Sequence, residues 1–385
     1  MAGRLAPWGA AALLSLACPS GAQAPAVPDP VRLVLPTGLP TGQAANDRIP
    51  VTWRQAAGSG GSRLPAVVLL HPLGEQRNRI MERFGGYLAA RGISAAVMIL
   101  PWHMERRPPG VKPLGAYLSL DPEIAVRSLE QALADVRVVV DWLEANPAVD
   151  SRRLGVVGVS LGAVLAHTAM GRDERLSAGV AILGGASLED IARRSLLYRL
   201  VHPRPRSLTD QQLQRLWSVD PLAYAGRNRP RRVLMIQAAR DDILPTRGAR
   251  KLWEALDRPP LEWLDTNHFA PAAGADTIMA RSLAHLEAAW GIRPHRRPPP
   301  VAAPTLKAGM LVGLDAPLAL GLAWQAIPLA ERSDHMALAH LSLGASTQGL
   351  FAAVGITLSR HVDIGVARRA DGRTARPCLS IHLTL

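Results

Sequence analysis

Cysteine is nearly absent: the 385 residues hold two, Cys18 and Cys378. If residues 1–24 are removed on export, Cys378 is left without a partner, so no disulfide framework staples this fold. Lysine is also scarce. Only Lys112, Lys251 and Lys307 stand among 44 basic residues, against 31 acidic ones, for a formal net charge of +13. No dense basic run is interleaved with aromatics and no zinc-finger spacing occurs, so nucleic acid is not an expected partner. Aromatics make up 4%. No run of 18 or more apolar residues exists, which excludes a membrane-spanning helix. H-E-x-x-H, paired cysteines and carboxylates clustered at ligand spacing are all missing, so neither metal nor cofactor is expected.

What is present is a large apolar content, 48% of residues, in a chain long enough for two units. Residues 1–24 read as an export signal. Arg4 gives a positive start, Ala10–Ala17 a short apolar stretch, and Ser20-Gly-Ala22 and Ala22-Gln-Ala24 two small-residue cleavage candidates, the first preferred because Pro25 hinders cleavage after Ala24. The expected location is therefore exported: periplasmic, cell-envelope or secreted. Cys18 would permit lipidation, although Ser15 stands where a lipobox has a branched apolar residue.

Residues 25–48, rich in Pro and Gly, read as a surface extension. Over residues 49–292, short apolar runs (Val67–Leu70, Ile93–Leu100, Leu154–Val159, Ala178–Leu183, Val233–Ile236) alternate with helical spacing, clearest over Pro122–Ala145. That alternation predicts an α/β domain with a mostly parallel sheet flanked by helices. Residues 187–229 are too long for a simple connection and read either as a helical lid or as an added helix pair without a gating role. Residues 293–304 form a Pro/Arg-rich linker. In residues 305–385 the period changes to two, as in Leu379-Ser-Ile-His-Leu-Thr-Leu385, which predicts a small antiparallel β module. The alternation weakly resembles outer-membrane strands, but some 80 residues supply fewer than the eight strands of the smallest single-chain barrel, so a soluble sandwich, or a sheet completed by a homo-oligomer, is the expected form. A chain ending near Arg297 is expected to remain active.

Gly158-Val-Ser-Leu-Gly162 follows a buried-strand pattern and opens a helical one. In that context G-x-S-x-G describes a turn that exposes the Ser160 hydroxyl above a helix N-terminus. The alternative is a structural serine in a tight turn. A serine needs a base, and the base an orienting acid. The loop after Val233–Ile236 carries Asp241 and Asp242, and the loop after Leu261–Leu264 carries His268. His167 and His285 fall inside helical stretches and fit less well. Asp241, four residues before Pro245, is preferred over Asp242, which could instead hold the loop or pair with Arg240. One oxyanion donor would be the N–H of Leu161. The other would come from His71-Pro-Leu-Gly74, where Pro72 has no N–H and leaves Leu73.

These residues resemble the α/β-hydrolase superfamily, in the neighbourhood of dienelactone-hydrolase-like and acyl-hydrolysing serine enzymes, over residues 49–292. Leu100-Pro-Trp-His-Met-Glu-Arg-Arg-Pro108 with Gly110 resembles the L-P-Y-H-x-x-R-x-P-x-G loop of one hydrolase subfamily. The resemblance implies a serine hydrolase that cleaves a carboxylic ester of a small molecule or lipid through Ser160, His268 and Asp241. His71, His103, Arg106 and Arg107 are substrate-binding candidates, the arginines for an anionic group. Against that stands a loop-pinning role for His71, Arg106 and Arg107. Two rivals are carried: a peptidase of the prolyl-oligopeptidase kind, and a non-catalytic envelope scaffold. Association with an anionic membrane surface is compatible with the charge.

Overall fold

The computed structural model describes residues 27–384 apart from 58–61, 203–206, 230, 265, 270, 272–273, 295–304, 313–315, 332–335, 360–361 and 373. The expected export signal, Cys18 and most of the linker lie outside the described residues.

Eight strands form one sheet: β1 (Val31–Pro36), β2 (Arg48–Arg54), β3 (Leu64–Leu70), β4 (Ser94–Met98), β5 (Val149–Val159), β6 (Leu176–Ile182), β7 (Arg232–Ala238) and β8 (Leu261–Leu264). Their order is β1-β2-β4-β3-β5-β6-β7-β8. The strands from β4 to β8 pair in parallel, and β1 and β2 add an antiparallel edge. The central stretches of the parallel strands, such as Val67–Leu70 and Leu154–Val157, are apolar because helices bury both faces. One face packs Val68, Val156 and Met235 against helix residues such as Val136 and Leu165; the other packs Leu69, Val157 and Ile236 against Phe84 and Leu286.

The flanking helices are α1 (Arg79–Ala89), α2 (Pro113–Tyr117), α3 (Pro122–Ala145), α4 (Leu161–Arg172), α5 (Leu188–Arg194), α6 (Leu196–Val201), α7 (Asp210–Trp217), α8 (Pro221–Tyr224), α9 (Thr246–Ala255) and α10 (Ala275–Ala289). The start of α3 is set locally: Pro122 occupies its first turn and the Asp121 carboxylate accepts the Glu123 N–H at 3.0 Å. Its buried stripe then follows the spacing read from the sequence.

Two expectations are corrected. The extension at 25–48 is not loop throughout, because β1 pairs along β2. Its alternating, half-exposed side chains gave too weak a signal for a strand that lies at the sheet edge. The C-terminal module is neither a sandwich nor a sheet awaiting a partner. Strands β9 (Thr305–Val312), β10 (Ala316–Glu331), β11 (Met336–Ser346), β12 (Gly349–Ser359), β13 (Val362–Arg369) and β14 (Arg376–Thr384) close into a barrel in the order β10-β11-β12-β13-β14-β9. All its pairings are antiparallel. Closure pairs the first strand with the last, a long-range match that period-two alternation does not reveal.

Candidate active site

The turn from β5 into α4 holds Ser160 at φ 54° and ψ −114°. Such a backbone is strained for a residue with a side chain and lifts the hydroxyl clear of the sheet. The flanking glycines are required by close approach. A Cβ on Gly158 would lie 2.1 Å from the carbonyl oxygen of Gly162, and one on Gly162 would lie 2.1 Å from that of Leu70.

The loops after β7 and β8 bring the other two side chains to the same rim. His268 Nε2 lies 2.9 Å from Ser160 Oγ, and His268 Nδ1 lies 2.7 Å from Asp241 Oδ2. Asp241 Oδ1 accepts the N–H groups of Ile243 at 2.9 Å and Leu244 at 2.8 Å. These bonds aim one carboxylate oxygen at the imidazole. All three side chains are buried. Of the paired acids, Asp241 reaches the histidine, while the backbone oxygen of Asp242 accepts the Leu196 N–H of α6 at 2.7 Å. His167 and His285 remain in α4 and α10.

Beside Ser160 lies a cavity of about 390 Å³. Leu73 and Leu161, the expected oxyanion donors, line it. Its wall is apolar, with Phe84 from α1, Leu129 from α3, Ile191 from α5 and Met279 from α10. Among the described lining residues Arg83 is the cationic one, and it is engaged by Asp276 at 2.6 Å. The 187–229 insertion forms part of the roof through Leu188, Ile191, Ser195 and Leu197. It is anchored by Asp220, which accepts the N–H groups of Ser187, Leu188 and Leu222, and by Lys251 to Asp190 at 2.7 Å.

The four candidate substrate-binding residues do not line this cavity. His71, His103 and Arg106 are buried behind it. His71 Nδ1 donates to the Pro72 carbonyl at 2.8 Å and its Nε2 accepts the Leu100 N–H at 3.0 Å. His103 Nδ1 donates to the Pro101 carbonyl at 2.8 Å and its Nε2 accepts the Gly74 N–H at 3.0 Å. Arg106 binds the Asn46 and Ile99 carbonyls and pairs with Asp135 at 2.7 Å. Arg107 is exposed. The substrate-binding expectation is therefore corrected for His71, His103 and Arg106, which are 0% exposed and spend their hydrogen bonds on the loop and on Asp135. His71, His103 and Arg106 shape the loop that carries Leu73. Glu105, beside Arg106 in sequence, binds Arg32.

Sequence reading missed Asn46, Gln131 and Asp135. Asn46 donates to Gln131 at 2.8 Å and accepts the Trp102 N–H at 2.9 Å. Polar residues inside the apolar stripe of α3 were the available signal, since a buried carboxylate needs a cation.

Burial drives His71 down to about 3, with the neighbouring His103 adding to the effect, and drives His103 down to about 4. Both are neutral when folded. The unfolded chain takes up their protons once the pH drops below about 6.5, so folding stability contributed by these rings is full above that value. It is lost as pH falls toward about 3. Thermal melts over this range should show a falling midpoint, and a His71→Asn variant should show a shallower slope.

A further missed role belongs to Arg240, beside the triad acid. The Arg240 side chain is buried inside the C-terminal barrel, donating to Thr357 at 2.9 Å and pairing with Asp363 at 3.4 Å. Asp363 also pairs with Lys307 at 2.8 Å, His340 at 3.2 Å and His382 at 3.5 Å. Burial works to raise the Asp363 carboxyl. The His340 hydrogen bond and the charges of Lys307 and Arg240 prevail and hold it far below the usual range.

A serine on a strand–helix turn, followed in order by acid and base on later loops, is the arrangement of the α/β-hydrolase fold, and the chain has that fold. The prolyl oligopeptidase family model matches residues 126–269, a segment that contains Ser160, Asp241 and His268. A puromycin-hydrolysing peptidase of Mycobacterium tuberculosis is similar in structure, with TM-score 0.52 and 19% identity over 70% of this chain and 41% of that one. An acylaminoacyl peptidase of Pyrococcus horikoshii gives TM-score 0.51 and 16% identity over 68% and 41%. A 2,6-dihydroxy-pseudo-oxynicotine hydrolase gives TM-score 0.51 and 17% identity over 71% of each chain. At these identities the likeness is one of fold. The chain spans about two fifths of the length of the two peptidases. No curated protein matches the sequence.

Proposed function

We propose that this chain is a serine hydrolase that cleaves esters of apolar acyl groups through an acyl-enzyme. The observation that carries the reading is the apolar cavity beside Ser160, in which the one guanidinium among the described lining residues, Arg83, is paired with Asp276. Such a wall stabilises an uncharged chain or ring by burial, at about 25 cal/mol per Å². It offers little to a free carboxylate or ammonium.

His268 takes the Ser160 proton as Oγ attacks the acyl carbon, and Asp241 holds the imidazole in the tautomer that makes this possible and stabilises its charged form. The N–H groups of Leu161 and Leu73 receive the developing oxyanion; each such donor is worth roughly 3–4 kcal/mol. His268 then protonates the leaving group. Water, with His268 again as base, releases the acid.

A second reading is a peptidase acting on blocked, apolar residues, favoured by the prolyl oligopeptidase match across the triad segment. A substrate panel separates the two. Nitrophenyl esters of increasing acyl length are expected to show rising kcat/KM, with blocked aminoacyl and peptidyl nitroanilides much slower. Faster turnover of the anilides would replace the first reading with the second. The scaffold rival predicts no labelling of folded protein by a fluorophosphonate. Export remains part of the proposal, tested by N-terminal sequencing of the protein recovered from a cell-envelope fraction.

A further inference from the structure

The C-terminal barrel is apolar on the side where a water-soluble barrel is polar. Every strand presents a large apolar side chain outward: Met310, Leu320, Leu343, Val354, Ile364 and Ile381 are each between 44% and 62% exposed. Strand register makes these a continuous surface. Leu341 stands opposite Val354, and Val354 opposite Val366. A second row runs from Ile356 to Ile364, Leu379 and Val312. Inward positions carry the opposite character at the hydrolase end, where Lys307, His340, Asp363 and His382 surround Arg240. Beyond them, Leu311, Phe351, Ala367 and Cys378 fill the barrel.

We propose that this barrel inserts into a lipid bilayer and holds the hydrolase domain at its surface. Scattered exposed apolar residues are ordinary, whereas a contiguous belt needs a partner. The belt encircles the barrel. A second copy of the chain would cover one side and leave the other wet, while a hydrocarbon medium covers all sides at once. Outward apolar side chains on every strand around an interior that is charged at one end are shared with barrels in lipid, although at six strands this barrel is smaller than the eight-stranded single-chain barrels of outer membranes. Among the described residues, Arg368, Arg369 and Arg376 stand at the far rim with Asp371, which pairs with Arg369; the excess of arginine is complementary to anionic headgroups. Along β12 the outward residues run from Leu350 to Leu358. Eight steps of ~3.4 Å at ~45° tilt give a band about 19 Å tall. That is short of the usual ~25 Å and fits a bilayer that thins around the barrel.

The test is flotation of the full chain with vesicles of phosphatidylethanolamine and phosphatidylglycerol, followed by an alkaline carbonate wash. Wild type is expected to float and to resist the wash. Val354→Asp and, separately, Leu343→Asp are expected to lose flotation while hydrolysing a soluble ester at the wild-type rate, which also reports that they fold. Three results would overturn the proposal: wild type that stays in the aqueous phase without detergent, flotation that carbonate or salt reverses, and oligomers in detergent-free buffer that the same substitutions disperse. Ester hydrolysis is read in the same samples, so loss of insertion is distinguishable from loss of the enzymatic reading.

Discussion

Ser160→Ala is expected to lower kcat by about 10⁶-fold while leaving the fold intact. The turn that carries this residue is held by its neighbours: the Ser160 N–H binds the Ile182 carbonyl at 2.9 Å, and its carbonyl accepts the N–H groups of Ala163 and Val164. Alanine keeps those bonds and loses only the hydroxyl. The melting temperature should therefore stay near that of wild type while chromogenic ester hydrolysis and fluorophosphonate labelling both vanish. Asp241→Asn should cost about 10⁴-fold, because an amide can hold the wrong imidazole tautomer. Substantial turnover by folded Ser160→Ala protein would remove the nucleophile from the scheme.

Asp363→Asn is expected to destabilise the protein by about 3–5 kcal/mol, the cost of breaking a buried ion pair from one side. Asp363 faces two cations in the barrel interior, Lys307 and Arg240. Neutralising it removes the carboxylate that both pair with in the barrel interior. The effect should also reach the active site. Arg240 immediately precedes Asp241, and its N–H binds the Thr266 carbonyl at 3.0 Å on the loop that carries His268. A barrel that releases Arg240 loosens both loops, and each 1.4 kcal/mol of lost positioning is tenfold in rate.

Arg240→Met isolates this coupling, since Lys307 still neutralises Asp363. Its expected signature is a lower kcat with little change in KM. Unchanged kcat in a folded Arg240→Met protein would show that the barrel and the triad are independent. The sequence-based expectation for a chain ending near Arg297 is accordingly revised: without the barrel, Arg240 loses Thr357 and Asp363, and activity should fall. The Asp363 carboxyl adds a pH dependence of its own. Held low in the fold, it contributes stability above the unfolded value near 3.9, and that contribution is lost as pH falls below it.

The triad was legible because each member lies at a position that local pattern identifies. Ser160 stands between glycines at a strand–helix junction, and Asp241 and His268 follow later apolar runs. Parallel topology places the ends of those runs along one rim, so chain order becomes spatial order. The pinning loop was legible as a motif and misread as a binding surface. Arg106 and His103 look the same in sequence whether they face solvent or carbonyls, and burial is decided by how α3 and the β1–β2 edge fold over them.

The sequence alone determined which segments become buried strands, which turn exposes the nucleophile, and which residues could complete it, because hydrophobic period and glycine requirement are local properties. Closure of β9 onto β14, insertion of Arg240 among Lys307, Asp363 and His382, and the outward aim of the barrel's apolar side chains were decided only in three dimensions. Alternation in a strand states that its two faces differ in polarity. Which face turns inward depends on strand pairings up to some 80 residues apart and on the charge that another domain supplies to the interior.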